Sequence, residues 1–487
     1  MLCKSLNGKC QNKTEQHLEK PNIIVVLSDT LRTAYLGCYG NKYIHTPCID
    51  EFAKQSLIFT RAYPESLPTI PVRRALHTGR RVYPFKDYKP VKWDIVYLPG
   101  WQPISNEEDT LSENLADAGY QTGFITDTLP YFTPGFNFQR GFWQWEYIRG
   151  QQQDRWKSPY SVPKERLQRY GSSLEEFKNN MHTLIPMHLA NTAEVNSEED
   201  TTTARVFKSA MNFLEDNSKA GQPFYLLVDC FDPHEPWDAP EKYYRMYGDP
   251  NYNGKRIVAC GYGPAGKYGY TEKDISYVKA QYCGLVTLVD TWFGQLMKKL
   301  DTLGLRKNTA IFFLSDHGTN FCENPRNIIG KPSNSMYPGV MHLPFIAALP
   351  RADSNGKTCD ELIYNIDLTA TIYDIAGIKS SDGIDGQSLL PLLMGSGLWK
   401  KREYITCRYA NSISYIDRKN WILTDLDRRQ NECFDLENDL NCQNDISKEV
   451  SSKCFDKAWN YIRYDAGGDL INHGLNNNQT DAIGQKV

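Results

Sequence analysis

Asn22-Ile-Ile-Val-Val-Leu-Ser-Asp29 is an apolar run that ends on a carboxylate. Two later segments repeat the pattern. One is Phe224-Tyr-Leu-Leu-Val-Asp-Cys-Phe-Asp232, followed by Pro233-His234; the other is Thr309-Ala-Ile-Phe-Phe-Leu-Ser-Asp316-His317-Gly318. Each reads as a strand buried on both faces, the mark of a parallel sheet covered by helices. Helical patterns over Leu111–Ala118, Thr203–Glu215 and Ser276–Leu300 lie between them. The fold class is therefore α/β, with a mostly parallel central sheet flanked by helices. Ligands of such sheets gather at the carboxyl ends of the strands. Asp29, Asp232, His234, Asp316 and His317 are expected to meet at that edge.

Working outward, residues 21–397 read as the catalytic domain, behind an N-terminal extension at 1–20. Residues 149–200 are polar and irregular, an insertion expected to lie near the site. A helix is expected over Asp367–Ala376. Beyond residue 398, Glu403–Tyr409, Ser412–Asp417 and Trp421–Asp425 predict a small antiparallel-sheet α+β subdomain to residue 466. The Gly- and Asn-rich tail, 467–487, is expected to be mobile.

The 487 residues carry a net charge of -3, with 40% hydrophobic and 23% charged residues, as in ordinary globular proteins. No basic stripe indicates nucleic acid, no run approaches the ~18 apolar residues of a membrane span, and the first residues lack a secretory apolar stretch. The 13 cysteines show no C-x-x-C pair and read as free thiols, so the expected location is cytoplasmic.

The most informative stretch is Ser66-Leu-Pro-Thr69-Ile-Pro71-Val-Arg73-Arg74-Ala-Leu-His-Thr-Gly79-Arg80. Pro71 suits a first helical turn and Gly79 a helix end. Thr69 then stands at a helix N-terminus, where free N–H groups favour an anion, with Arg73 one turn on. Taken alone, Thr69 reads as a helix cap.

With its surroundings the chain resembles the sulfatases of the alkaline phosphatase superfamily. Pro21–Arg32, Leu36-Gly-Cys-Tyr-Gly-Asn and Thr46-Pro-Cys-Ile-Asp are similar to their opening. Thr69-Ile-Pro71-Val-Arg73 resembles their Cys/Ser-x-Pro-x-Arg signature and Ser315-Asp316-His317-Gly318 their second metal motif. Gly330-Lys331 and Cys433-Phe-Asp-Leu-Glu-Asn-Asp match later segments. The resemblance implies Asp29, Thr69, Asp316 and His317 as ligands of one divalent ion, manganese, zinc or calcium. It implies Arg73 and Lys331 as substrate-holding cations and His234 as the proton donor to the leaving group. Asp232 is expected to orient its loop beside the substrate. His342 and His473 could serve a second metal, but the Asp-x-x-x-His pair of two-zinc enzymes is missing near Asp232.

The chain departs from the pattern in three places. Thr30 stands where sulfatases carry a second Asp. Gly119–Leu129 lacks their Lys-x-His; its Thr126-Asp127-Thr128 resembles the segment of phosphonate monoester hydrolases, so Thr128 is expected at the substrate. Thr69 replaces the Cys or Ser that becomes formylglycine, and threonine cannot form that aldehyde. A threonine phosphate ester can be hydrolysed at phosphorus, and related phosphorus-transfer enzymes use Thr. The expectation is a phosphodiester or phosphonate-ester hydrolase acting through a covalent Thr69 intermediate on a small-molecule or sugar ester, with a homo-oligomer left open. A sulfuric ester hydrolase acting on aryl or sugar sulfates and a non-catalytic binding protein remain the alternatives.

Overall fold

The computed structural model describes residues 20–90, 96–170, 184–350, 352, 356–379, 383–396 and 398–473. Almost all of the N-terminal extension and residues 474–487 of the tail lie outside the described residues. In chain order the strands are β1 (Asn22–Ser28), β2 (Leu57–Tyr63), β3 (Gln121–Thr126), β4 (Gln144–Tyr147), β5 (Phe224–Cys230), β6 (Gly263–Pro264), β7 (Thr309–Ser315), β8 (Asn320–Phe321), β9 (Ile328–Gly330), β10 (Leu343–Ala348), β11 (Lys357–Cys359) and β12 (Ile363–Tyr364). Then follow β13 (Tyr404–Tyr409), β14 (Ser412–Asp417), β15 (Asn420–Asp425) and β16 (Glu432–Asp435).

Nine strands form the main sheet in the order β11-β2-β10-β7-β1-β5-β3-β4, with β12 also beside β2. Only β10 runs against the rest. The three apolar runs are the adjacent strands β7, β1 and β5, and every residue of each is buried. Strand alternation sorts their side chains into two cores. Ile23, Val25, Leu27, Tyr225, Leu227, Phe312 and Leu314 face one layer, with helices Thr69–Thr78, Leu111–Asp117 and Asp367–Ala376. Ile24, Val26, Leu226, Val228, Ile311 and Phe313 face the other, with Thr202–Asn217 and Glu272–Thr302. Ser28 pairs with Cys230 on one side and Ser315 on the other, so the three strands end level. That register brings the run-terminal acids to one edge.

Strands β13 to β16 form an antiparallel sheet, one strand more than expected. Helix Ser452–Ala466, unpredicted, covers one face through Ala458 and Ile462 against Ile413 and Ile422. The other face joins the main core through Ile405, Cys407, Trp421 and Phe434. In the 149–200 insertion, residues 171–183 are outside the described residues. Where irregular chain was expected, helix Leu184–Asn191 is buried throughout. Two of its polar side chains find partners: His188 Nε2 meets Asp238 and Asn191 donates to Asp154 O. A cavity of about 620 Å³ is lined by this helix and by the loop after β5. No helix among the described residues is long and apolar enough to cross a membrane.

Candidate active site

Helix Thr69–Thr78 is almost wholly buried and ends at Gly79 in the left-handed region (φ 71°). A Cβ there would lie 2.6 Å from Ile384, so only glycine fits without movement. Pro71 falls in the first turn, where helical N–H groups have no intrahelical partner. Thr69 is the first helical residue, and its hydroxyl lies 3.1 Å from His317 Nε2. His317 Nδ1 faces the Gly318 carbonyl at 3.1 Å. A carbonyl only accepts, so Nδ1 carries the proton, and Nε2 accepts from the Thr69 hydroxyl. Thr69 therefore does not cap its helix; its oxygen is turned into the cluster at the sheet edge.

Ligand atoms of Asp29, Asp316 and His317 all lie within 4.8 Å of one another, and the three residues are buried. Thr30 holds the loop with a positive φ of 64°, rare for a β-branched residue. That conformation aims its N–H at Asp316 Oδ1 (3.0 Å) and its hydroxyl at Asp29 Oδ1 (2.7 Å). Asp29 Oδ2 is buried and accepts no hydrogen bond. Burial, then the neighbouring Asp316, drives the Asp29 carboxyl well above its ordinary range. Burial also acts on Asp316, but His317 and Arg73 outweigh it and hold that carboxyl low. Burial lowers His317 to about 4, leaving its imidazole neutral, the ligand form.

Arg73 is fully buried among three carboxylates. It grips Asp229 in a fork through Nε and Nη2, at 2.8 Å each, and reaches Asp316 through Nη1 and Asp29 through Nη2 (3.0 Å). Asp229 did not figure in the sequence reading, although an aspartate inside an otherwise apolar strand demands a buried partner. Its parity places it on the face of helix Thr69–Thr78. Tyr131 and Thr128 also donate to it, at 2.5 and 3.0 Å. The Thr128 hydroxyl thus sits beneath Arg73, on Asp229.

One guanidinium faces three carboxyl groups in a buried cluster, and a raised Asp29 carboxyl is one that a cation would help to ionise. The Asp29 oxygen that accepts no hydrogen bond, met only by the shared Arg73, and the neutral His317 nitrogen fit a divalent cation. Asp29, Asp316 and His317 would hold it, beside the Thr69 hydroxyl. His342 lies elsewhere, with Nε2 2.7 Å from Thr60 O, and His473 packs on Tyr88.

His234 and Lys331 flank the cluster. The His234 ring centroid is 6.4 Å from that of His317, and its Nδ1 lies 2.6 Å from Glu235 O, so Nε2 carries the free lone pair. Burial lowers His234 to about 3. Asp232 accepts from Thr203 and from Gln151 of the insertion (3.1 Å), while Ser28 donates to its carbonyl (2.8 Å). Those bonds tie the loop after β5 to its surroundings. Burial raises Asp232 to about 6, and burial together with Asp232 raises Asp127 to about 7. An aspartate with a raised folded pKa binds protons more tightly when folded. Its stabilising share is complete below about pH 4 and is lost as pH rises through about 7. Asp127→Asn should therefore stabilise the protein by about 1–3 kcal/mol at pH 8 and change little at pH 4, read by thermal unfolding at both.

The carboxyl edge of the sheet thus carries a hydroxyl, an arginine, three acids and two histidines in one buried cluster. A family profile described as "Sulfatase" matches residues 21–378, and one described as "N-sulphoglucosamine sulphohydrolase, C-terminal" matches 333–458. An arylsulfatase of Clostridium perfringens is 26% identical, over 91% of this chain and 93% of its own. Human iduronate 2-sulfatase is 26% identical, over 81% and 72%. Among solved structures, the phosphonate monoester hydrolase of Agrobacterium radiobacter superposes with a TM-score of 0.69 at 18% identity, covering 92% of this chain and 96% of that one. Profile, whole-length relatives and fold converge on one assignment: the chain belongs to the sulfatase family, ester hydrolases of alkaline phosphatase-like fold.

Proposed function

We propose that the protein hydrolyses phosphodiesters or phosphonate monoesters through a covalent Thr69 intermediate. The observation that carries this reading is the Thr69 hydroxyl, at a helix N-terminus and 3.1 Å from His317 Nε2 beside two buried carboxylates. When bound, the divalent ion would lower the hydroxyl's pKa and neutralise charge developing on the phosphoryl group. Thr69 Oγ1, its proton released to solvent, attacks phosphorus; the Oγ1–P bond forms as the bond to the leaving alcohol breaks. His234 Nε2, neutral in the resting site, takes up a proton as the anionic ester enters and passes it to the leaving oxygen. Water then attacks the phosphothreonine as Nε2 accepts its proton, and the Oγ1–P bond breaks to restore Thr69 as its alkoxide. Lys331 offers its ammonium to the non-bridging oxygens. Arg73 anchors the nucleophile helix and supplies positive charge near the reacting group.

Two carboxylates, an imidazole and a hydroxyl favour manganese or zinc over calcium. The substrate is a small-molecule or sugar ester, not a nucleic acid or a membrane. Eleven described cysteines are free, which suits a reducing compartment such as the cytoplasm. The whole-length relatives support a second reading, hydrolysis of aryl or sugar sulfates.

Side-by-side turnover of nitrophenyl phosphodiester, phosphonate and sulfate esters separates the two. Faster phosphorus-ester cleavage is expected, and cleavage of sulfate alone would establish the second reading. Chelation should abolish turnover and lower the unfolding temperature, with manganese or zinc restoring both. Turnover that survives exhaustive chelation would remove the ion from the reaction.

A further inference from the structure

Glu235 is a buried carboxylate that no step above uses. Lys331 Nζ donates to both its oxygens, at 3.1 Å each, and the Tyr262 hydroxyl donates to Oε1. Its own carbonyl accepts from His234 Nδ1 at 2.6 Å, and its Oε2 lies 3.4 Å from that nitrogen. Tyr262 closes the arrangement from behind: Lys331 Nζ is 5.3 Å from its ring centroid, and a Cβ on Gly330 would lie 2.3 Å from the ring. Burial opposes the Glu235 charge, but His234, Lys331 and Tyr262 hold its carboxyl down to about 2. The residue is therefore a fixed anion joining the two groups that flank the cluster.

Its position has a consequence for the cluster acids. The Lys331 charge acts on both Asp29 and His317. A flexible ammonium without a partner of its own would turn towards Asp29, whose Oδ2 is met only by Arg73 Nη2, at 3.0 Å, a cation already shared with Asp229 and Asp316. There it would compete with a divalent ion for the same oxygen.

We propose that Glu235 is a positioning residue that holds Lys331 off the metal-binding carboxylates and fixes the His234 proton on Nδ1. The role in turnover rests on the function proposed above; the role in metal binding does not. Titration calorimetry with Mn²⁺ alone, on Glu235→Gln, Lys331→Met and the double variant, tests it. Glu235→Gln should bind Mn²⁺ about 10–100-fold more weakly than wild type, the range for groups behind a first ligand shell. The double variant, with neither charge, should recover to within about threefold, because no ammonium is left to compete. Unchanged Mn²⁺ affinity in Glu235→Gln would overturn the proposal. So would a loss that persists in the double variant, which is the mark of a merely structural role. If Glu235→Gln alone does not fold, an unchanged affinity in Lys331→Met with recovery in the double variant still supports competition, and weak binding in the double variant overturns it. Should wild type bind Mn²⁺ yet cleave no phosphorus ester, the proposed function fails and this inference stands.

Discussion

Thr69→Ala is expected to lower kcat/KM for the phosphorus ester by at least about ten-thousand-fold, with the fold intact. Losing a nucleophile in a hydrolase that works through a covalent intermediate costs on that order. The helix would survive the change. The residue before it, Pro68, makes no side-chain cap, and the Thr69 hydroxyl is directed to His317 instead of to a helix N–H. One buried hydrogen bond is lost, worth about 1 kcal/mol. Thr69→Ser keeps the oxygen and should keep most of the rate. Steady-state kinetics with parallel thermal unfolding reads both, and an alanine variant within tenfold of wild type would rule out Thr69 as the nucleophile.

The second large effect concerns stability. Arg73→Met removes the one guanidinium from Asp29, Asp229 and Asp316, all with side chains fully buried. Removing one partner of a buried ion pair costs about 3–5 kcal/mol because the other charge stays behind. The metal-free variant should therefore unfold at a markedly lower temperature than metal-free wild type. A saturating divalent ion binds the same carboxylates, so it should raise the variant's unfolding temperature more than the wild type's. Equal stability of the two metal-free proteins, with equal shifts on adding Mn²⁺, would show that Arg73 does not balance the cluster.

The central strands were legible because each is a short, mostly apolar run ending in a charge, and burial on both faces is the reading such a run favours. Asp29, Asp316 and His317 followed from those ends, and the start of helix Thr69–Thr78 from Pro71 and Gly79. Asp229 was not legible. Within a uniformly apolar run, nothing shows which alternate positions face which helix layer, and that parity sends its carboxylate to Arg73. Glu235 escaped for a related reason: its partners, Tyr262 and Lys331, lie 27 and 96 positions along the chain. Helix Leu184–Asn191 was hidden by the average polarity of the insertion around it. Helix Ser452–Ala466 buries only Ala458, Ile462 and Ala466 fully, so its apolar stripe is narrow in a polar segment.

The level ending of β1 and β7 also sets an order of events in the life of the chain. The Thr30 amide and the Asp316 carboxylate that it meets are separated by 286 positions, and Thr69 and His317 by 248. A chain still being synthesised, with β7 not yet made, possesses Asp29 and Thr69 but neither Asp316 nor His317. Such distant contacts must wait for chain closure, whose entropic cost falls before any contact repays it. The cluster is thus assembled late, once β7 has joined β1, and a divalent ion that needs Asp29, Asp316 and His317 together could enter only after that pairing.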